Sequence, residues 1–278
     1  MTRALVAIGS AKGSPGATTL ALLLAACWPT SARQPRPLVV EADPSGGDVA
    51  ARFEISDSPG LVDLAAAGRR AASARVLGEC TQTLPGDTYV VAGPAGARQA
   101  TAAVRLFGDG GAGLLRAGMG TAGDVLLDVG RFQPDTADLV KAADRLLLVT
   151  RGEVDALAHA AAQAVDLRSC ACEAELTLIG PSLYSASEIR EVLGLRRVHR
   201  VPWDAKTVRA MAGRSWVAPR RWRGVPPLVR AVTALARDLA AEGAEYRNSP
   251  VEDACSSVGR RPAAERVAVE VVAGGEPS

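Results

Sequence analysis

The chain has 278 residues and is 48% apolar, enough to fill the core of one large α/β domain or two small ones. Its 32 basic and 30 acidic residues leave a net charge of only +2, which excludes a chain built wholly to bind polyanions and an acidic solvating one. Five scattered cysteines and two histidines, His159 and His199, form no zinc-binding pattern, so reduced thiols in a cytoplasmic protein are expected.

In chain order, short apolar runs of β type fall at Arg3 to Ile8, Leu38 to Glu41, Tyr89 to Ala92, Asp124 to Leu127, Arg145 to Thr150, Leu176 to Ile179 and Val198 to Val201. Helical spacing separates or follows them at Ala17 to Trp28, Leu61 to Ala66, Val154 to Leu167, Ser187 to Leu193 and Pro227 to Ala241. Continuous apolar strands alternating with helices predict a doubly wound, mostly parallel α/β sheet of about seven strands with helices on both faces. That domain is expected over residues 1–243, and residues 244–278, rich in Ser, Pro, Gly and charge, read as a disordered C-terminal tail. The apolar run ahead of Cys27 is broken by Lys12, Gly13, Pro15 and Gly16, which argues against a lipoprotein leader. No run approaches the roughly 20 apolar residues of a transmembrane segment. The hexapeptide GDGGAG at Gly108 to Gly113 satisfies G-x-G-x-x-G but follows a helical pattern, so a flexible connection is expected there.

The turn after the first strand carries the chemistry. SAKGSPGATT, Ser10 to Thr19, leads from a strand into a helix, where inward-pointing backbone N–H groups hold phosphate oxygens without any side chain. Gly13 and Gly16 permit close backbone approach, and the Thr18 hydroxyl is placed to ligate magnesium. The lysine of the usual G-x-x-x-x-G-K-S/T pattern is replaced by Ala17. By pattern alone, a glycine turn that merely starts a buried helix is the alternative.

Lys12-Gly13-Ser14-Pro15-Gly16-Ala17-Thr18-Thr19 resembles the deviant phosphate loop K-G-G-x-G-K-S/T-T of the MinD/ParA family. Within that family it is most similar to the CpaE/TadZ type, whose loops often read K-G-G-x-G-A-S-T. The resemblance spans about residues 3 to 240 and implies an ATP and Mg2+ site. It also implies a homodimer, in which Lys12 reaches across the interface to the partner's nucleotide. LVVEADPSGGD resembles the switch segment D-x-D-x-x-x-G, making Asp43 the carboxylate that organises the attacking water, with Glu41 in place of the first Asp. DVLLDVGR resembles the Walker B strand, which makes Asp128 the magnesium carboxylate and places Gly130 near the γ-phosphate; it departs from the common D-S/T-P. VPWD resembles the I-P-x-D turn whose backbone lies by the adenine, at Pro202, while Gly180 stands where an asparagine is common. Taken singly, Asp43 reads rather as a turn cap and Asp128 as a strand end; their placement after the second strand and on a strand before ADRLLLVT reverses that and favours the site.

The expected site residues are therefore Lys12 and Asp43 for catalysis, Lys12 to Thr19 with Pro202 for nucleotide, and Thr18 with Asp128 for metal. A charge group of the missing lysine's kind is worth roughly 10²- to 10³-fold in rate, so ATP binding with slow hydrolysis is predicted.

Arg196 to Arg230 holds ten Lys or Arg residues against one acid, Asp204, with Trp203, Trp216 and Trp222 interleaved. A solvated basic face, nonspecific DNA, an anionic membrane surface and a protein partner are the readings of that density. The whole reads as a cytoplasmic switch that positions an unidentified protein partner of a pilus, secretion, septum or chromosome apparatus, peripheral to membrane or nucleoid. Two rivals are a DNA-binding partition ATPase, marked by DNA-stimulated hydrolysis, and a non-enzymatic scaffold that has lost nucleotide, marked by no thermal shift in ATP.

Overall fold

A strand that is apolar at every position needs cover on both faces, and the first run shows it: β1 (Leu5–Ser10) is buried along its whole length. The structure, a computed structural model, describes residues 4–12, 16–31, 35–68, 74–108, 110–117, 123–167, 173–210 and 224–248. After β1 come α1 (Ala17–Cys27), β2 (Leu38–Glu41), α2 (Val49–Phe53), α3 (Leu61–Gly68), α4 (Ala74–Glu79), β3 (Gln82–Leu84) and β4 (Thr88–Val91). The chain continues through α5 (Ala97–Gly108), α6 (Gly111–Ala117), β5 (Val125–Arg131), a 3-10 turn at Pro134–Thr136, α7 (Ala137–Lys141), β6 (Arg145–Gly152) and α8 (Val154–Leu167). Beyond these lie β7 (Glu173–Ser182), α9 (Ala186–Leu193), β8 (Val198–Val201), α10 (Ala205–Ala210) and α11 (Pro227–Asn248). Two units divide the chain, Met1–Arg247 and Asn248–Ser278, and every element but the last residue of α11 belongs to the first.

One eight-stranded sheet runs in the order β3-β4-β2-β5-β1-β6-β7-β8. All neighbours pair in parallel except β3 with β4. The doubly wound, mostly parallel architecture expected from the sequence is present, with one strand more than predicted. The addition is β3, a three-residue edge strand with a single buried side chain, too short and too exposed to register as an apolar run. Two further differences follow from local chemistry. β7 extends past its apolar run to Ser182. GDGGAG is a junction between two helices rather than a wholly irregular connection, since α6 begins at Gly111.

Alternation along the strands feeds two cores. Leu5 and Ala7 of β1 face one, with Phe107, Leu114 and Leu146; Val6 and Ile8 face the other, with Leu22, Leu24 and Leu235. α1 is apolar all round and buried from Leu20 through Ala25, wedged between the sheet and α11. At the opposite, amino-terminal end of the later strands a charged group crosses three of them. Arg145 Nη2 donates to Glu175 Oε1 at 2.5 Å, and His199 Nε2 lies 2.6 Å from Glu175 Oε2. Burial pushes the fully enclosed Glu175 carboxyl up, but the hydrogen bond from His199 and the Arg145 guanidinium outweigh it and hold it at about 2.

Candidate functional site

At the carboxyl ends of β1, β2 and β5 and the turn after β8, a cavity of about 320 Å³ opens, where an open α/β sheet places its ligands. Its floor is the start of α1. Gly16 sits at the N-cap with φ of 103°, a left-handed conformation that favours glycine, and no side chain caps this helix end or puts an acid in its first turn. The first-turn N–H groups therefore face the cavity with their partial positive charge unopposed. Ala17, Thr18 and Thr19 line it.

Asp128, on β5, is wholly buried beneath this floor. Its Oδ1 accepts from Gly130 N at 3.1 Å, while Oδ2 has no hydrogen-bond partner. Burial pushes its pKa to about 7; Thr18 draws it down, and the Glu41 and Asp43 charges push it up. Thr18 is thus close enough to be felt, but no hydrogen bond of ordinary geometry reaches Oδ2. A buried carboxylate oxygen without a donor, beside a hydroxyl, is a donor set suited to a hard cation or its bound water. Among the described residues no group of three or more His, Cys, Asp or Glu is placed to hold a metal, so such a cation would take its other ligands from phosphate and water.

The segment after β2 enters next. Asp43 lines the cavity and accepts from Ser45 N at 2.8 Å. Its carboxylate lies directly over Gly130, whose φ is 62° and where any Cβ would collide with it. Glu41, only 1% exposed, stands at the end of β2 and gathers three backbone N–H groups. Asp48 N is at 2.7 Å and Val49 N at 3.0 Å from Oε1, and Gly93 N is at 2.9 Å from Oε2. Burial raises its pKa against those bonds. The glutamate thereby ties α2 to the loop after β4.

Pro202 lines the other wall with Trp203, whose indole is 57% exposed and carries the Arg151 guanidinium 5.4 Å from its ring centroid. Asp204 caps α10 through Thr207 N at 2.9 Å. Lys12 does not line the cavity; its Nζ donates to His159 Nε2 on α8 at 2.9 Å. Gly13, Ser14 and Pro15 lie outside the described residues, as do 211–223 and therefore Trp216 and Trp222. From the rest of the basic segment, Arg200 donates to Tyr184 O at 2.5 Å and Arg196 approaches Glu175 at 3.9 Å.

The structure thus brings Gly16 to Thr19, Asp43 and Pro202 around one cavity with Asp128 beneath it, and sets Lys12 apart. Sequence reasoning missed Arg52 and Arg131, which also line the cavity. Arg52 had one faint signal, its spacing of four from Asp48 on a short helix. No helix among the described residues is long and apolar enough to cross a membrane.

No protein-family model matches the chain, and no curated protein does. Solved structures do. A ParA family ATPase from Chlorobium tepidum TLS matches with TM-score 0.68 at 19% identity, over 86% of this chain and 99% of that one. The cell division ATPase MinD of Pyrococcus furiosus matches with TM-score 0.68 at 17% identity, over 87% and 100%. The septum site-determining protein MinD of Pyrococcus horikoshii OT3, solved with Mg-ADP, matches with TM-score 0.66 at 16% identity, over 86% and 96%. The fold is that of the MinD/ParA P-loop NTPases.

Proposed function

We propose that the chain is an ATP-binding switch of MinD/ParA type, similar in its phosphate loop to CpaE/TadZ proteins, which hydrolyses ATP slowly and acts as a nucleotide-dependent homodimer. The observation that carries this reading is the uncapped start of α1 opening into the cavity directly above the donorless Oδ2 of Asp128. Helix N–H groups there receive the phosphates, and Pro202 and Trp203 border the base. Thr18 and Asp128 would hold magnesium, which would supply neutralisation of phosphate charge. Asp43, fixed over Gly130, accepts a hydrogen bond from the attacking water and orients it. With Ala17 in place of a lysine, one electrostatic element of the transition state is absent, which leaves binding stronger than turnover.

Lys12 is exposed, and its contact with His159 is one it must give up to serve a partner's nucleotide. Contact of the dimer with a protein, DNA or an anionic membrane falls to the Arg196 to Arg230 segment. The test is binding of a labelled ATP analogue with Mg2+, wild type against Lys12→Ala, read with mass in solution. Saturable binding with a dimer that Lys12→Ala abolishes is expected; no binding at millimolar ATP refutes the reading.

A further inference from the structure

A phosphate chain carrying about four negative charges needs cations, and the loop offers none at position 17. Among the described residues, the cationic side chains lining the cavity are Arg52 and Arg131. Arg52 reaches the phosphate end, at the first turn of α1. Its Nη1 donates to Thr19 Oγ1, in the first turn of α1, at 3.3 Å, and its Nη2 donates to Asp48 Oδ2 at 2.9 Å. The backbone beneath it is equally constrained. Arg52 N donates to Asp48 O at 2.9 Å, and the start of α2 is pinned by Glu41 through the N–H groups of Asp48 and Val49.

We infer that Arg52 is a phosphate-binding residue of the nucleotide site, supplying from the switch helix α2 the positive charge that Ala17 does not. This rests on the nucleotide reading above. Two of the five guanidinium N–H donors are used on Thr19 and Asp48, and a planar fork so anchored presents the remainder to anionic oxygens at little further entropic cost. Asp48 is well exposed, so water screens its charge and the pair does not cancel the guanidinium's field within the cavity. Arg52 belongs to α2, which follows the segment that resembles a switch, and not to the loop, so the charge that binds phosphate ties α2 to the first turn of α1.

The experiment titrates the whole chain with a fluorescent ATP analogue and Mg2+, comparing wild type, Arg52→Ala, Arg52→Lys, Arg131→Ala, Ala17→Lys and the double variant Arg52→Ala/Ala17→Lys, with thermal melting as a check on folding. Arg52→Ala is expected to weaken binding about 10- to 100-fold, the worth of a charged hydrogen bond to an anion, with its melting temperature within a few degrees of wild type. Arg52→Lys is expected to keep part of the affinity. Adding Ala17→Lys to Arg52→Ala is expected to recover about tenfold or more, showing that the two positions serve one charge requirement. Saturable binding by wild type that Arg52→Ala leaves within about twofold overturns the assignment, as does a loss confined to Arg131→Ala. Absence of binding by wild type overturns the nucleotide reading and this assignment with it.

Discussion

Replacing Glu41 by alanine separates what holds the switch segment from what it does. The carboxylate accepts three buried backbone N–H groups, and alanine leaves all three without an acceptor. Each such orphan costs about 1–3 kcal/mol, and the two at Asp48 and Val49 are the cap that α2 loses. Against this, burial raises the pKa of Glu41, so the ionised form is itself unfavourable and its removal returns part of the loss. The expected net cost is about 3–5 kcal/mol, a large share of the roughly 5–15 kcal/mol that holds a domain together. Glu41→Gln retains an oxygen for Asp48 and Val49 but turns an amide toward Gly93 N–H, while it removes the buried charge. It should cost only about 0–2 kcal/mol. Urea unfolding followed by circular dichroism reads both: with a slope of about 2 kcal/mol per molar, the alanine variant loses about 2 M in midpoint and glutamine less than half of that. Equal midpoints for Glu41→Ala and wild type would refute the claim that this carboxylate organises the segment.

The charged group at the other end of the sheet predicts a pH dependence. Glu175 is held at about 2 in the folded chain against an ordinary value of 4.5, so its contribution is fully present above pH 4.5 and is lost as pH falls toward 2. Across that window wild type should lose on the order of 3 kcal/mol more than Glu175→Gln, measured as unfolding free energy against pH; parallel curves would disprove it. Glu175→Gln also takes the carboxylate charge away from the buried Arg145 guanidinium, so it starts lower at neutral pH. Gly130→Ala should cost about 2–4 kcal/mol, through its left-handed φ and the collision with Asp43. In an Asp43→Ala background the collision disappears, and the same substitution should cost at least about 1 kcal/mol less by denaturant titration; strict additivity would show the two residues are not in contact.

What the sequence made legible divides along physical lines. Strands buried on both faces announce themselves as apolar runs, and each of the seven runs lies within or across a strand of the sheet. β3 did not, because a half-exposed edge strand needs no such run; the turn residues Pro85, Gly86 and Asp87 before Tyr89 were its available signal. α11 outruns its predicted end, Ala241, by seven residues, Glu242 to Asn248, because Glu242 and Ala244 to Tyr246 suit a helix though they carry no apolar stripe. Within the site, backbone-driven features such as Gly16 and the start of α1 were readable, since phosphate loops write themselves as contiguous residues. Arg52 was not, because its role depends on where α2 lies beside α1, 33 residues away in sequence. The same holds for His159, an unremarkable surface histidine in sequence that meets Lys12 across 147 residues. Glu175 and His199 were hidden for the opposite reason: an acid inside an apolar strand looks like a flaw in the run until its two partners on neighbouring strands are seen.

The burial of α1 from Leu20 through Ala25 makes the middle of that helix stiff. Held there between the sheet and α11, it has no room to slide or rotate without opening cavities, so it acts as an anvil. Whatever push is delivered at its first turn is returned undiminished to the lighter piece facing it. That piece is α2, a five-residue helix held by the Glu41 carboxylate and by its buried Val49 and Phe53, with Arg52 in its last turn. Displacement in this part of the fold is therefore taken up on the α2 side.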